Sequence, residues 1–241
     1  MYVSDHEVTQ AEYAKYCKYG SSSPIEKYGV GDNYPAYYVN SYDVVVYCNL
    51  RSIAEGVTPA YKIGEETDPT KWSGILGNAT DGYCGPSYSN ETWDGITYDK
   101  KANGYRLPTE AEREYIAREA GTSTTTYSGS KTIDDVAWYS GNSSYEIHEV
   151  KGKNANSLGI YDMSGNIWEW CYDWYSSSIN SSTADTGSAS DSNRVHRVLR
   201  RFFLHRVLPG ALRPVLPRQR LWFPCCAFRQ IIKNTVTLKD L

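Results

Sequence analysis

The sequence has no long apolar run. Nothing in it approaches the roughly 18–20 residues that a bilayer-spanning helix needs, so no membrane span is expected. Met1 is followed at once by polar residues and not by the apolar core of a secretory signal. Cysteine is sparse: Cys17, Cys48, Cys84, Cys171, Cys225 and Cys226 are too few in 241 residues for a disulfide scaffold. None stands in a Cys-x-x-Cys pair, and adjacent Cys225-Cys226 is a poor metal motif, so the redox compartment stays open. His148 stands alone, and metal sites need clustered ligands, so it reads as a surface or strand residue. Phenylalanine is missing before Phe202 and tyrosine after Tyr175. Acid is missing between Arg194 and Arg229.

What is present is aromatic and turn-rich. Tyr 22, Trp 7 and Gly 19 suggest a loop-rich fold packed on rings, of one or two domains. The net charge of -3 conceals a break: residues 1–193 hold 14 Lys+Arg against 27 Asp+Glu, and residues 194–241 hold 11 against 1. A domain over 1–193 with a basic tail over 194–241 is the natural division. Nine arginines beside Phe202, Phe203, Trp222 and Phe223 have the ingredients of a nucleic-acid arm, charge for phosphates and rings for stacking. Pro209, Pro214, Pro217 and Pro224 forbid a continuous helix, and no recognition motif appears, so nucleic acid is not the expected partner.

Three helices are expected. Residues 6–19 carry Thr9 as N-cap with Glu12 completing a capping box, and Tyr13, Tyr16 and Cys17 share a face. Residues 41–55 form the second, closing at Gly56, with Val44, Tyr47, Cys48 and Ile53 toward the core. The third starts after Pro108, with Thr109 and Glu112 as its capping box. Its acids Glu110, Glu112, Glu114 and Glu119 read as a solvated face and partners of the helix dipole, not as catalytic groups. Asp94-Gly95 between WDG and ITY signals a hairpin, residues 57–104 hold short strand-like pieces among turns, and Glu146–Val150 reads as a short strand. Residues 176–193 are a Ser/Thr/Asp/Gly loop.

The densest stretch is GIYDMSGNIWEW, residues 159–170. It sets Asp162 and Glu169 among Tyr161, Trp168 and Trp170, and a buried carboxylate needs a partner or a cation. With EVTQAEY (7–13), YPAYYVNSYDVVVYCN (34–49) and GYRLPTEAEREY (104–115), in that order and spacing, it resembles the sulfatase-modifying-factor family, best known for the formylglycine-generating enzyme. The resemblance covers about residues 5–175. It implies an α+β, C-type-lectin-like fold with small sheets, a few helices and much irregular loop. That fold also serves non-enzymatic binding proteins, so it does not settle function. Two departures stand out. The family's first strands would precede the EVT motif, which reads the start as truncated and leaves a secreted or surface location open. Arg113 stands where the family usually has tryptophan.

The resemblance implies calcium at Asp162 and Glu169 through their side chains and at Gly165 and Ile167 through their carbonyls, an all-oxygen set suited to a hard cation. The other reading of the same residues has Asp162 capping a turn and Glu169 pairing with an arginine or lysine. Family enzymes oxidise a cysteine of a sulfatase peptide with a C-terminal cysteine pair, which in prokaryotic members binds copper. Here the segment after Arg200 has only Cys225-Cys226, which match neither position nor spacing. No catalytic residue is therefore assigned and copper is not expected. The reading is a family domain acting as a non-catalytic module for a protein or peptide ligand; formylglycine-generating oxidation is the alternative.

After Arg197-Val198-Leu199-Arg200 the family pattern stops. Permitted codons for residues 200–229, read one nucleotide later, yield GGSSYTAYCRVPYAPSYRGNGYGFRAARS, a normal family ending. A frameshifted tail would explain the charge and aromatic breaks together, and the nucleotide sequence tests it: stops in the shifted frame, or the loss of GGS and GFR, would sink it.

Overall fold

The computed structural model describes residues 1–173 and two strand segments beyond them, 226–227 and 231–232. In chain order its elements are β1 (Tyr2–Val3), α1 (Gln10–Ala14), α2 (Ser41–Ala54), β2 (Tyr61–Lys62), β3 (Leu76–Asn78), β4 (Gly82–Cys84), α3 (Glu91–Asp94) and β5 (Thr97–Tyr98). There follow β6 (Tyr105–Arg106), α4 (Glu110–Ala117), α5 (Ile133–Val136), β7 (Trp168–Glu169), β8 (Cys226–Ala227) and β9 (Ile231–Ile232). The architecture is α+β, with irregular loop between short elements. β1, β9 and β6 form an antiparallel sheet with β9 central; β2–β5 and β3–β4 are antiparallel pairs, and β7–β8 is parallel. The readings of residues 176–193 as loop and of the tail as frameshifted lie outside the described residues, apart from the backbones of β8 and β9.

Capping fixes the helix starts. Thr9 Oγ1 accepts from Glu12 N while the Glu12 carboxylate accepts from Thr9 N, and Thr109 with Glu112 repeats the arrangement. Asn40 and Asp43 do the same for α2, a third box that closes two orphan donors. α2 ends before Gly56, whose φ of 68° suits glycine. α1 is shorter than the 6–19 expected, because at Lys18 the backbone leaves the helix to donate to Tyr83 O at 3.0 Å.

The main core surrounds α2 and is built on tyrosine and tryptophan. Tyr13, Tyr47, Tyr61 and Trp93 are fully buried, and each polar tip has a partner. Tyr13 Oη donates to Lys18 O at 3.2 Å, Tyr61 Oη accepts from Leu107 N at 2.9 Å, Tyr47 Oη accepts from Arg51 at 3.1 Å and Trp93 Nε1 donates to Ser73 O at 2.8 Å. Each phenol therefore gives ring area without an unsatisfied hydroxyl, which is how this part of the chain makes a core without phenylalanine.

Three local expectations are corrected. Ile53 is 45% exposed, while Val44, Tyr47 and Cys48 are buried as expected. Asp94-Gly95 is not a hairpin turn: Asn90 Oδ1 accepts from Thr92 N and Trp93 N and winds residues 91–94 into a helical turn, and β5 pairs instead with β2. Residues 146–150 form no strand, because the backbone N–H of His148 goes to the Asn166 side chain and not to a ladder.

Candidate functional site

The loop from Gly159 to Trp170 folds back on the first residues of the chain and on α4. Tyr161 N donates to Asp5 O at 2.8 Å, Ser164 Oγ accepts from Ser128 N at 3.0 Å and Trp170 Nε1 donates to Val39 O at 3.0 Å. Asp162 and Asn166 take left-handed backbone, with φ of 57° and 65°, a conformation that short polar side chains tolerate best. Gly165 is required by close approach: a Cβ there would overlap the Trp138 carbonyl and lie 2.9 Å from Trp138 N.

Asn166 clamps the loop to Glu7 and His148. Its Nδ2 donates to Glu7 Oε2 at 2.8 Å and to His148 O at 3.1 Å, and its Oδ1 accepts from His148 N at 3.0 Å. Glu7 is fully buried. The His148 ring stacks on Trp138 with centroids 3.7 Å apart, and Lys153 Nζ sits 4.1 Å from the Trp138 centroid. His148 is thus a half-buried stacking residue and lies in no strand.

The four residues of the expected calcium set lie together on this loop. Asp162 and Glu169 are 3% and 1% exposed, and Ile167 is buried. Asp162 Oδ2 accepts from Lys151 N at 2.8 Å. Glu169, on β7, is held by Arg113 Nε, and Arg113 Nη2 donates to Met163 O at 3.1 Å. Arg113 rises from α4 and is 5% exposed, and its Nη1 has no hydrogen-bond partner among the described residues. Burial works against the guanidinium charge, but the Glu169 carboxylate outweighs it and holds the Arg113 pKa above its ordinary value. Among the described residues no three His, Cys, Asp or Glu side chains converge as a metal cluster.

Two acids of α4 are paired with arginines. Glu112 receives a two-pronged grip from Arg106 at 2.7 Å per contact and Glu114 pairs with Arg118 at 2.8 Å. The signal for Arg106 lay in the same GYRLPTEAEREY stretch, six residues before Glu112. Cys17, Cys48, Cys84 and Cys171 are free and buried. Burial pushes the Cys48 thiol up to about 12 and raises those of Cys17, Cys84 and Cys171 as well. None is poised as a thiolate near neutral pH. Among the described residues no helix is long and apolar enough to cross a membrane.

Comparison with known proteins gives this geometry a context. The family model described as "Sulfatase-modifying factor enzyme 1-like domain" matches residues 1–203. The chaperone protein LppX of Paenibacillus barcinonensis is 38% identical over 194 residues, 73% of this chain and 62% of that protein. The formylglycine-generating enzyme of Streptomyces coelicolor is 31% identical over 123 residues, 45% of this chain and 39% of the enzyme. The chain thus spans less than two thirds of the length of these relatives. Among solved structures, Treponema denticola variable protein 1 superposes with a TM-score of 0.66 at 28% identity, covering 96% of this chain and 84% of that one.

Proposed function

The chain belongs to the sulfatase-modifying factor enzyme 1-like domain family, and from that premise we propose that it is a non-catalytic module binding a protein or peptide ligand. The observation that carries the reading is the state of its thiols. Oxidation of a peptide cysteine in this family rests on a reactive cysteine pair, and thiolate is the reactive form. Cys17, Cys48, Cys84 and Cys171 are buried, with raised pKa values. The sequence beyond Arg200 holds only the adjacent Cys225-Cys226, a spacing unlike the pair the resemblance implies. The name of LppX, a chaperone, supports a protein ligand.

Oxygen uptake with a Cys-x-Pro-x-Arg peptide, measured with and without added copper, tests the reading. The expected result is no turnover in either condition. Sustained uptake with loss of the peptide thiol would establish the oxidoreductase reading that the name of the Streptomyces coelicolor relative suggests.

A further inference from the structure

We propose that Arg113 is the built-in cation of the Gly159–Trp170 loop, neutralising Glu169 so that the loop holds its shape without calcium. Three observations carry this. The Glu169 carboxylate is 1% exposed, a position where an ionised group needs an opposite charge. Arg113 supplies that charge from α4, 56 residues away in sequence, through Nε. Its Nη2 simultaneously donates to Met163 O, inside the same loop. One planar guanidinium therefore ties a carboxylate to a main-chain carbonyl, two oxygens of kinds that a hard cation would otherwise gather.

The residues at Asp162, Gly165, Ile167 and Glu169 fit calcium poorly with Arg113 in place. Calcium draws on six to eight oxygens, and here Glu169 already faces a guanidinium and Asp162 Oδ2 already receives the Lys151 N–H. A divalent ion at the same carboxylate would also stand against the buried positive charge of Arg113. The inference concerns the loop's counter-ion and does not depend on whether the domain catalyses anything.

Thermal unfolding of the full chain in EGTA and in millimolar calcium chloride is the test. A calcium site of micromolar affinity would raise the midpoint by roughly 10 °C under those conditions. The expected result is a midpoint unchanged by calcium in the wild type. Arg113→Met is expected to lower the midpoint, and the Arg113→Met/Glu169→Gln double variant to recover part of the loss, because it removes the stranded charge. If Arg113→Met does not fold, recovery of a folded double variant supports the proposal equally. A calcium-dependent rise in the wild-type midpoint overturns the proposal. So does an Arg113→Met variant as stable as wild type and equally indifferent to calcium.

Discussion

Replacing Asn166 attacks the candidate loop at three hydrogen bonds at once. The side chain donates to Glu7 Oε2 and His148 O and accepts from His148 N, at 2.8, 3.1 and 3.0 Å. Asn166→Ala removes all three, at about 1 kcal/mol each. It also places alanine at a φ of 65°, which costs about 1 kcal/mol more. The expected loss is about 4 kcal/mol, a large part of a domain's total stability. Asn166→Asp keeps a side chain tolerant of that backbone and keeps one acceptor, but turns a donor into a carboxylate facing buried Glu7. At pH 7 its loss should exceed that of the alanine variant. At pH 5 it should shrink, because two close carboxylates share a proton and one of them can then donate. Urea unfolding of the three proteins at both pH values checks this. An alanine variant within about 1 kcal/mol of wild type, or an aspartate variant equally impaired at both pH values, would refute the reasoning.

Two further outcomes are expected. Burial pushes the Asp43 carboxyl up to about 6, against the backbone N–H groups of Asn40 and Gly85 that favour its charged form. A pKa raised in the folded state contributes stability below the ordinary carboxylate range that is lost as pH rises through 6. Asp43→Asn should therefore flatten the fall in stability between pH 4 and pH 6, about 3 kcal/mol for this group, in urea midpoints measured across that range. Gly165→Ala should cost about 2–3 kcal/mol, because the added Cβ meets the backbone of Trp138. Gly159→Ala has open space at a φ of 76° and should cost only about 1 kcal/mol, as thermal unfolding of the pair would show.

Local chemistry was legible in the sequence and long-range pairing was not. The Thr9–Glu12 and Thr109–Glu112 boxes could be read because cap and partner lie three residues apart. The helix over α2 was readable from its apolar spacing, although its Asn40–Asp43 box escaped notice. Asp94-Gly95 misled because a two-residue turn signal says nothing of the Asn90 cap four residues earlier, which took the segment into a helix. Arg113 was visible as a departure from the family pattern, but its partner is 56 residues on and no periodicity links them. The contact of Glu7 with Asn166 spans 159 residues and is likewise a product of the fold. The cluster of Asp162 and Glu169 among rings did announce a loop that needed charge compensation, and that need follows from burial alone.

The tail joins this loop by a different route. β8 runs parallel to β7 with Ala227 opposite Glu169, and β9 lies between β1 and β6. Ladder bonds use amide groups that every non-proline residue carries, and both segments are free of proline. A strand position can therefore be filled by chains of quite different side-chain content. Neutralising Glu169 is not so permissive, since it needs a cation at one place, and Arg113 of α4 meets it there. The loop thus has two separate supports, alignment through the backbone of the tail and charge balance from within the first 173 residues. A change of side chains beyond Arg200, such as a one-nucleotide shift would bring, touches neither Arg113 nor Glu169. It leaves the charge balance of the loop in place.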